Sequence, residues 1–285
     1  MNEMNYIVVA VLTLGGVALL AAVVLYIVSR RFAVKEDPRV KDVQECLPGA
    51  NCGGCGFAGC AALAEALVKG ADKGSLDGLR CPVGGDEAMG KIADVLGMAA
   101  QAAEPMVAVV RCNGSCDKRG QVAVYEGLHT CAAVNAAGAG ESGCGYGCLG
   151  CGDCAEACQF GGIVINPATG LPEVDEQMCT GCGSCAKACP RHVIELRKKG
   201  PKGRRVYVGC VNQDRGPIAR KSCQAACIGC GKCEKVCPFG AITVENNLSY
   251  IDYNKCRMCT KCVAECPTGA IVKVNFPIKK KEAEA

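Results

Sequence analysis

Four runs of cysteine share one spacing, C-x2-C-x2-C-x3-C. They are Cys148-Cys151-Cys154-Cys158, Cys179-Cys182-Cys185-Cys189, Cys227-Cys230-Cys233-Cys237 and Cys256-Cys259-Cys262-Cys266. A thiol at every third residue lets a short loop wrap three corners of an iron–sulfur cube, and the fourth Cys begins a helix that leads away. Small residues between the thiols, such as Gly181, Gly183, Gly229 and Gly231, let the backbone approach the sulfurs and aim N–H groups at them. Three runs close on Cys-Pro, at Pro190, Pro238 and Pro267; the first has Gln159 there, which should alter loop geometry more than ligation. Zinc is the competing reading. It takes pairs of C-x2-C knuckles, usually joined by longer loops and often with His, so a third Cys at the same interval has no use in it.

Composition agrees with metal ligation. The chain carries 27 cysteines in 285 residues, an odd count in a chain long for a disulfide-stapled secreted scaffold. Aromatic residues make up 4% and tryptophan is absent, so several small domains around inorganic cores are expected rather than one large apolar core. The formal charge of +4 brings no strong pull toward nucleic acid, and no nucleic-acid partner is expected.

The stretch from Tyr6 to Val28 holds no charged residue and is long enough to span a bilayer as a helix. Glu3 precedes it; Arg30, Arg31 and Lys35 follow it. Basic residues stay on the cytoplasmic side, which predicts a single-pass inner-membrane anchor with its N-terminus outside and a cytoplasmic body. A cleaved signal peptide would want the positive charge first and a shorter apolar run. Gly15, Gly16, Ala18 and Ala22 could admit a neighbouring helix or simply face lipid. No Asp, Glu, Lys, Arg or His lies inside the span, so an ion path would belong to a partner.

The expected division is a membrane anchor over 1–31, a linker over 32–39, a small helical domain over 40–103, a connecting segment over 104–143, and ferredoxin-like units over 144–205 and 206–285. Helix is expected over Cys60–Lys69, capped by Gly70, and over Asp86–Leu96, with Met89, Ile92, Ala93 and Leu96 on one face before Gly97. Val107–Val110 reads as a strand. A repeat runs through the rest: CGYGCLGCGDCAEACQFGGIVI from Cys144 aligns without a gap on CQAACIGCGKCEKVCPFGAITV from Cys223. Each copy follows a Val-rich start with one Cys, Cys112 and Cys210. Arg197–Arg205, with Gly200, Pro201 and Gly203, reads as a solvated boundary loop, and the tail KKKEAEA as a solvated end.

A fifth set lies nearer the membrane segment: Cys52, Cys55 and Cys60 on a glycine loop, then Cys81. It suits another four-iron cube, with zinc a fairer rival here. Cys112, Cys116, Cys131 and Cys144 are candidates for a sixth cluster, or are unligated thiols, because their intervals fit no standard run. Cys46, Cys210 and Cys223 are then spare. Cys210 and Cys223 stand at the repeat positions of Cys112 and Cys144, which leaves open a structural role for both pairs.

The runs resemble two bacterial-type two-cluster ferredoxin domains in tandem. That resemblance implies crossed ligation. Cys148, Cys151, Cys154 and Cys189 would hold one cluster, and Cys179, Cys182, Cys185 and Cys158 its partner. The second unit would use Cys227, Cys230, Cys233 and Cys266, then Cys256, Cys259, Cys262 and Cys237. The flanks suggest strand pairs of Ile163–Ile165 with Val193–Leu196 and of Ile242–Val244 with Ile271–Val274. With the segment ECLPGANCGGCGFAGC and the N-terminal helix, the whole chain resembles the B subunit of the Rnf complex. This implies an α+β multidomain electron-transfer subunit with five four-iron clusters and a candidate sixth. It implies a ferredoxin:NAD⁺ oxidoreductase complex coupled to Na⁺ or H⁺ transport, with other complex subunits, soluble ferredoxin and membrane lipid as partners. A donor to a redox sensor or another reductase, a zinc-stabilised scaffold and a catalytic iron–sulfur enzyme are the alternatives.

Two G-x-G-x-x-G matches, Gly54–Gly59 and Gly145–Gly150, contain cysteine and open no βαβ unit, so no nucleotide fold is expected. The C-x3-C-x2-C pattern at Cys144 and Cys223 imitates a radical-SAM signature without a barrel-sized domain after it. His129 and His192 are solitary.

Overall fold

The computed structural model describes residues 2–31, 37–99, 104–138 and 140–277. Most of the expected linker and the whole KKKEAEA tail fall outside these residues. Helix α1 (Asn2–Arg31) is apolar from Tyr6 to Val28 and ends on Arg30 and Arg31. Its Val11–Arg31 portion is long and apolar enough to cross a membrane, and none of it is buried within the protein.

Three helices form the next unit: α2 (Pro38–Cys46), α3 (Cys60–Asp72) and α4 (Gly85–Leu96). Asp37 caps α2 by accepting the Arg39 amide at 2.9 Å, and Pro38 fills the first turn, where its missing N–H costs nothing. The helix therefore starts inside the expected linker. Val43, Leu47, Leu63, Leu67, Val68, Met89 and Ile92 make the core. Gly97 ends α4 at φ 66°, as its sequence suggested. Gly70 does not cap α3. The helix runs past it to Asp72, and a Cβ there would lie 2.7 Å from Leu79 Cδ1 and 2.9 Å from the Ser75 carbonyl. Close packing, not termination, is what Gly70 permits.

The remaining chain forms two copies of one plan. The first contains β1 (Met106–Val110), α5 (Cys131–Ala137), α6 (Asp153–Glu156), β2 (Ile163–Asn166), β3 (Leu171–Val174), α7 (Ser184–Ala188) and β4 (Ile194–Lys198). The second contains β5 (Arg205–Val208), α8 (Gly216–Ser222), α9 (Lys232–Lys235), β6 (Ile242–Glu245), β7 (Leu248–Ile251), α10 (Lys261–Glu265) and β8 (Ile271–Val274). Every sheet is an antiparallel pair: β1 with β4, β2 with β3, β5 with β8, and β6 with β7.

This corrects the expected pairing of β2 with β4 and of β6 with β8. Local turns decide it. Asn246 and Asn247, both at positive φ, close β6 on β7 in a two-residue hairpin, and the four-residue loop Pro167 to Gly170 closes β2 on β3. The outer strand of each copy then pairs with the Val-rich strand at its start. Met106–Val110, expected in a connecting segment, thus shares a sheet with Ile194–Lys198.

The two copies dock through residues expected to be solvated. Arg197 is 1% exposed, with its guanidinium 5.2 Å from the Tyr250 ring centre and 5.7 Å from those of Tyr207 and Tyr253. It also donates to Glu195. Arg205 is buried against Glu176, which accepts from Asn275 at 2.9 Å. Arg111 reaches across to the carbonyls of Val208 and Cys210, each at 3.4 Å, and bonds Glu195 at 3.1 Å. Guanidinium stems bury well beside aromatic faces, and carboxylates offset the cost of desolvating their charge.

Candidate metal centres

Each C-x2-C-x2-C loop turns through paired left-handed residues. Gly181 and Gly183 supply them in the second run, at φ 69° and 81°, and glycines do so in the first and third. In the fourth run Met258 and Thr260 hold the same conformation at φ 55° and 61°. A β-branched residue there is strained, so wrapping of the loop, not local preference, sets the backbone.

The thiols gather across runs. Cys185 sits within electrostatic reach of Cys179 and Cys182, and of Cys154 and Cys158 from the preceding run. Cys262 has the matching relation to Cys256 and Cys259, and to Cys233 and Cys237. Cys154 neighbours Cys189, and Cys233 neighbours Cys227 and Cys230. Burial first, then the neighbouring thiolates, pushes Cys185 and Cys262 up to about 12. Burial with Cys112, Cys131 and Cys154 nearby does the same for Cys148. Thiols packed this way resist ionising alone, and cationic iron is what makes thiolates favourable there.

Among the described residues, no group of three or more His, Cys, Asp or Glu converges as a single ion would need. Four neighbouring thiols are the donor set that a four-iron cube takes.

In the helical unit Cys81 lies near Cys60 and Cys55, and its Sγ accepts the Gly84 amide at 3.3 Å beside the start of α4. Asn51 Oδ1 accepts the Cys60 amide at 2.8 Å, tying the Cys52 loop to α3. Cys46 packs on the same core, a neighbour that the spacing did not reveal.

The four candidates for a sixth site part company. Cys112 and Cys144 are neighbours. Cys131 instead packs beside Cys151, Cys148 and Cys154, where Asp153 accepts its amide at 2.7 Å. Cys116 is exposed near Arg119, 3.9 Å from its guanidinium. Asp153 pins the start of the Cys131 helix to the first run by accepting the Cys131 and Ala132 amides.

Arg191 is a site residue that spacing arguments missed. Its Nη1 donates to the carbonyls of Cys144 at 3.1 Å and Gly147 at 2.9 Å, beside Cys148, Cys189 and Cys112. The only sequence signal was its place directly after Cys189-Pro190.

Comparison with known proteins agrees with this geometry. The family described as a 4Fe-4S dicluster domain matches residues 147–193, 178–241 and 226–270, and one described as a putative Fe-S cluster matches 47–75. The chain is 47% identical to the B subunit of the Na(+)-translocating ferredoxin:NAD(+) oxidoreductase complex of Acetobacterium woodii, over 89% of this chain and 74% of the relative. It belongs to the Rnf B-subunit family. Two more members are similar over most of their length. The B subunit of the proton-translocating ferredoxin:NAD(+) oxidoreductase complex of Clostridium ljungdahlii is 44% identical, over 89% of this chain and 87% of the relative. That of the ion-translocating oxidoreductase complex of Methanosarcina acetivorans is 41% identical, over 87% and 90%. The dicluster matches fall on the two repeated units, and the third, 178–241, straddles them, as a regular succession of runs would produce.

Proposed function

We propose that this Rnf B subunit is the iron–sulfur relay of a membrane ferredoxin:NAD⁺ oxidoreductase coupled to Na⁺ or H⁺ transport. Four-iron clusters, when bound, supply one-electron chemistry. The observation that carries the reading is the crossed gathering of thiols: Cys158 with Cys179, Cys182 and Cys185, and Cys237 with Cys256, Cys259 and Cys262. Cys52, Cys55, Cys60 and Cys81 hold a further cluster, and the runs led by Cys148 and Cys227 take Cys189 and Cys266. With four thiolates for every cluster, no iron corner is left for substrate. The chain's own work is to hold these groups near one another and set their potentials through burial and N–H···S bonds.

Soluble ferredoxin delivers electrons to the ferredoxin-like units, and α1 anchors the chain with its N-terminus outside and the body in the cytoplasm. NAD, flavin and the ion path reside in other subunits.

Anaerobic purification with its partners, iron and sulfide counts and paramagnetic resonance test this. Abundant iron and reduced-cluster signals are expected; a colourless sample with stoichiometric zinc overturns it. Cys189→Ala should damage the cluster of Cys148, Cys151 and Cys154 more than that of the run containing Cys189. Digestion of the body from outside sealed right-side-out vesicles would refute the topology. Co-purification with a redox sensor instead of the transport subunits would favour the donor reading.

A further inference from the structure

Two thiols from each copy meet at the seam between them. A Cβ on Gly114 would lie 3.1 Å from Cys223 Sγ and 3.7 Å from Cys112 Sγ. One on Gly147 would lie 3.4 Å from Cys144 Sγ and 3.7 Å from Cys112 Sγ. Asn212, 1% exposed, joins the remaining thiol: its Nδ2 donates to Cys144 Sγ and its backbone N–H to Cys210 Sγ, both at 3.5 Å. Glycine at 114 and 147 and the buried Asn212 leave the sulfurs ringed by backbone and amide groups, as around other cluster loops.

The arrangement follows the repeat. Cys112 and Cys210 each come just after the first strand of their copy, and Cys144 and Cys223 each stand before the first run. Cys112 Sγ accepts the Cys148 amide at 3.4 Å, and Cys210 Sγ accepts the Cys227 amide. The copies are held together here: the Asn113 amide donates to the Gly209 carbonyl at 2.9 Å, and the Gln224 amide to the Lys118 carbonyl at 2.8 Å.

We propose that Cys112, Cys144, Cys210 and Cys223 ligate a sixth four-iron cluster shared between the two ferredoxin-like units. This rests on the iron–sulfur reading of the chain and completes it. Cys148 of the first unit touches one side of the site and Cys227 of the second touches the other, so the site stands where electrons must cross from unit to unit. It replaces the expected set of Cys112, Cys116, Cys131 and Cys144, of which the fold unites only two. The pairing could not be read from intervals, because half of the ligands come from each repeat.

The test uses the full chain, purified anaerobically in detergent. Clusters are counted by native mass spectrometry with iron and acid-labile sulfide. Six clusters are expected in the unaltered protein. Cys210→Ala and Cys223→Ala should each lose one and keep five, whereas Cys116→Ala and Cys131→Ala keep six. Five clusters in the unaltered protein overturn the proposal while the iron–sulfur reading stands. Loss in Cys116→Ala or Cys131→Ala with retention in the other two does the same. A protein with no clusters overturns the underlying reading instead. If the alanine variants misfold and lose several clusters, Asn212→Asp decides. It keeps every thiolate, so iron content should stay full while one cluster's midpoint potential falls; an unmoved set of potentials overturns the proposal.

Discussion

Gly54 abuts Cys182: a Cβ on Gly54 would lie 2.7 Å from the Cys182 carbonyl oxygen and 2.8 Å from its Cβ. Lys187 Nζ reinforces the contact by donating to the Gly53 carbonyl at 3.0 Å. The glycine loop of the helical unit therefore rests on a cysteine loop of the first ferredoxin-like unit. From there the thiol groups follow one another through Cys185 and Cys154, Cys148 and Cys112, Cys210 and Cys227, then Cys233 and Cys262.

Gly54→Val should wedge these two loops apart. Cluster content is expected to stay the same, because Gly54 supplies no ligand. Electron equilibration between the helical unit and the rest should slow at least tenfold, read by rapid-freeze paramagnetic resonance. An unaltered rate would mean that electrons do not pass at this contact.

Arg191 places a positive charge among Cys112, Cys144, Cys148 and Cys189. A cation favours the reduced, more negative state of a nearby cluster. Arg191→Gln should lower one or two midpoint potentials by about 50 mV, on the order of 1 kcal/mol for one electron. Redox titration followed by paramagnetic resonance checks it, and potentials unchanged within error would contradict it.

Glu176 and Arg205 should carry much of the docking between the two units. Burial alone would raise the Glu176 carboxyl, but its bond to Arg205, with Asn275 and Lys199 nearby, holds it below the usual carboxylate range. Its stabilising contribution is thus complete above about pH 4.5 and fades as pH falls through the lower value of the folded state. At neutral pH, Glu176→Gln leaves the buried Arg205 without its counter-charge and should cost about 3 kcal/mol. Faster proteolysis within Lys199–Arg204, at unchanged iron content, is the expected sign.

Thr260 stands at φ 61°, where the other three runs carry Gly152, Gly183 and Gly231. Thr260→Gly should relieve about 1 kcal/mol of backbone strain, partly offset by the freedom glycine gains when unfolded. Slower loss of the Cys256–Cys262 cluster under mild denaturant is expected. Faster loss would show that the threonine side chain contributes more than its backbone costs.

Much of this molecule was readable from the chain alone, wherever the cause is local. Thiols at every third residue dictate a loop that wraps, whatever surrounds it. The length of the apolar run sets α1, and the face of Met89, Ile92 and Ala93 sets α4. The repeat beginning at Cys144 and Cys223 announced two similar units. Strand partners went astray because the hairpin at Asn246 and Asn247 outweighed the symmetry of the flanks.

Docking of the two copies lay beyond any local signal. Arg197 and Arg205 read as solvated charges until Tyr207, Tyr250 and Glu176 close over them. That closure brings Cys210 and Cys223 to Cys112 and Cys144 and leaves Cys116 and Cys131 aside. Spacing along a chain can assign ligands held by one loop, but ligands contributed by two separately folded units meet only where their surfaces fit.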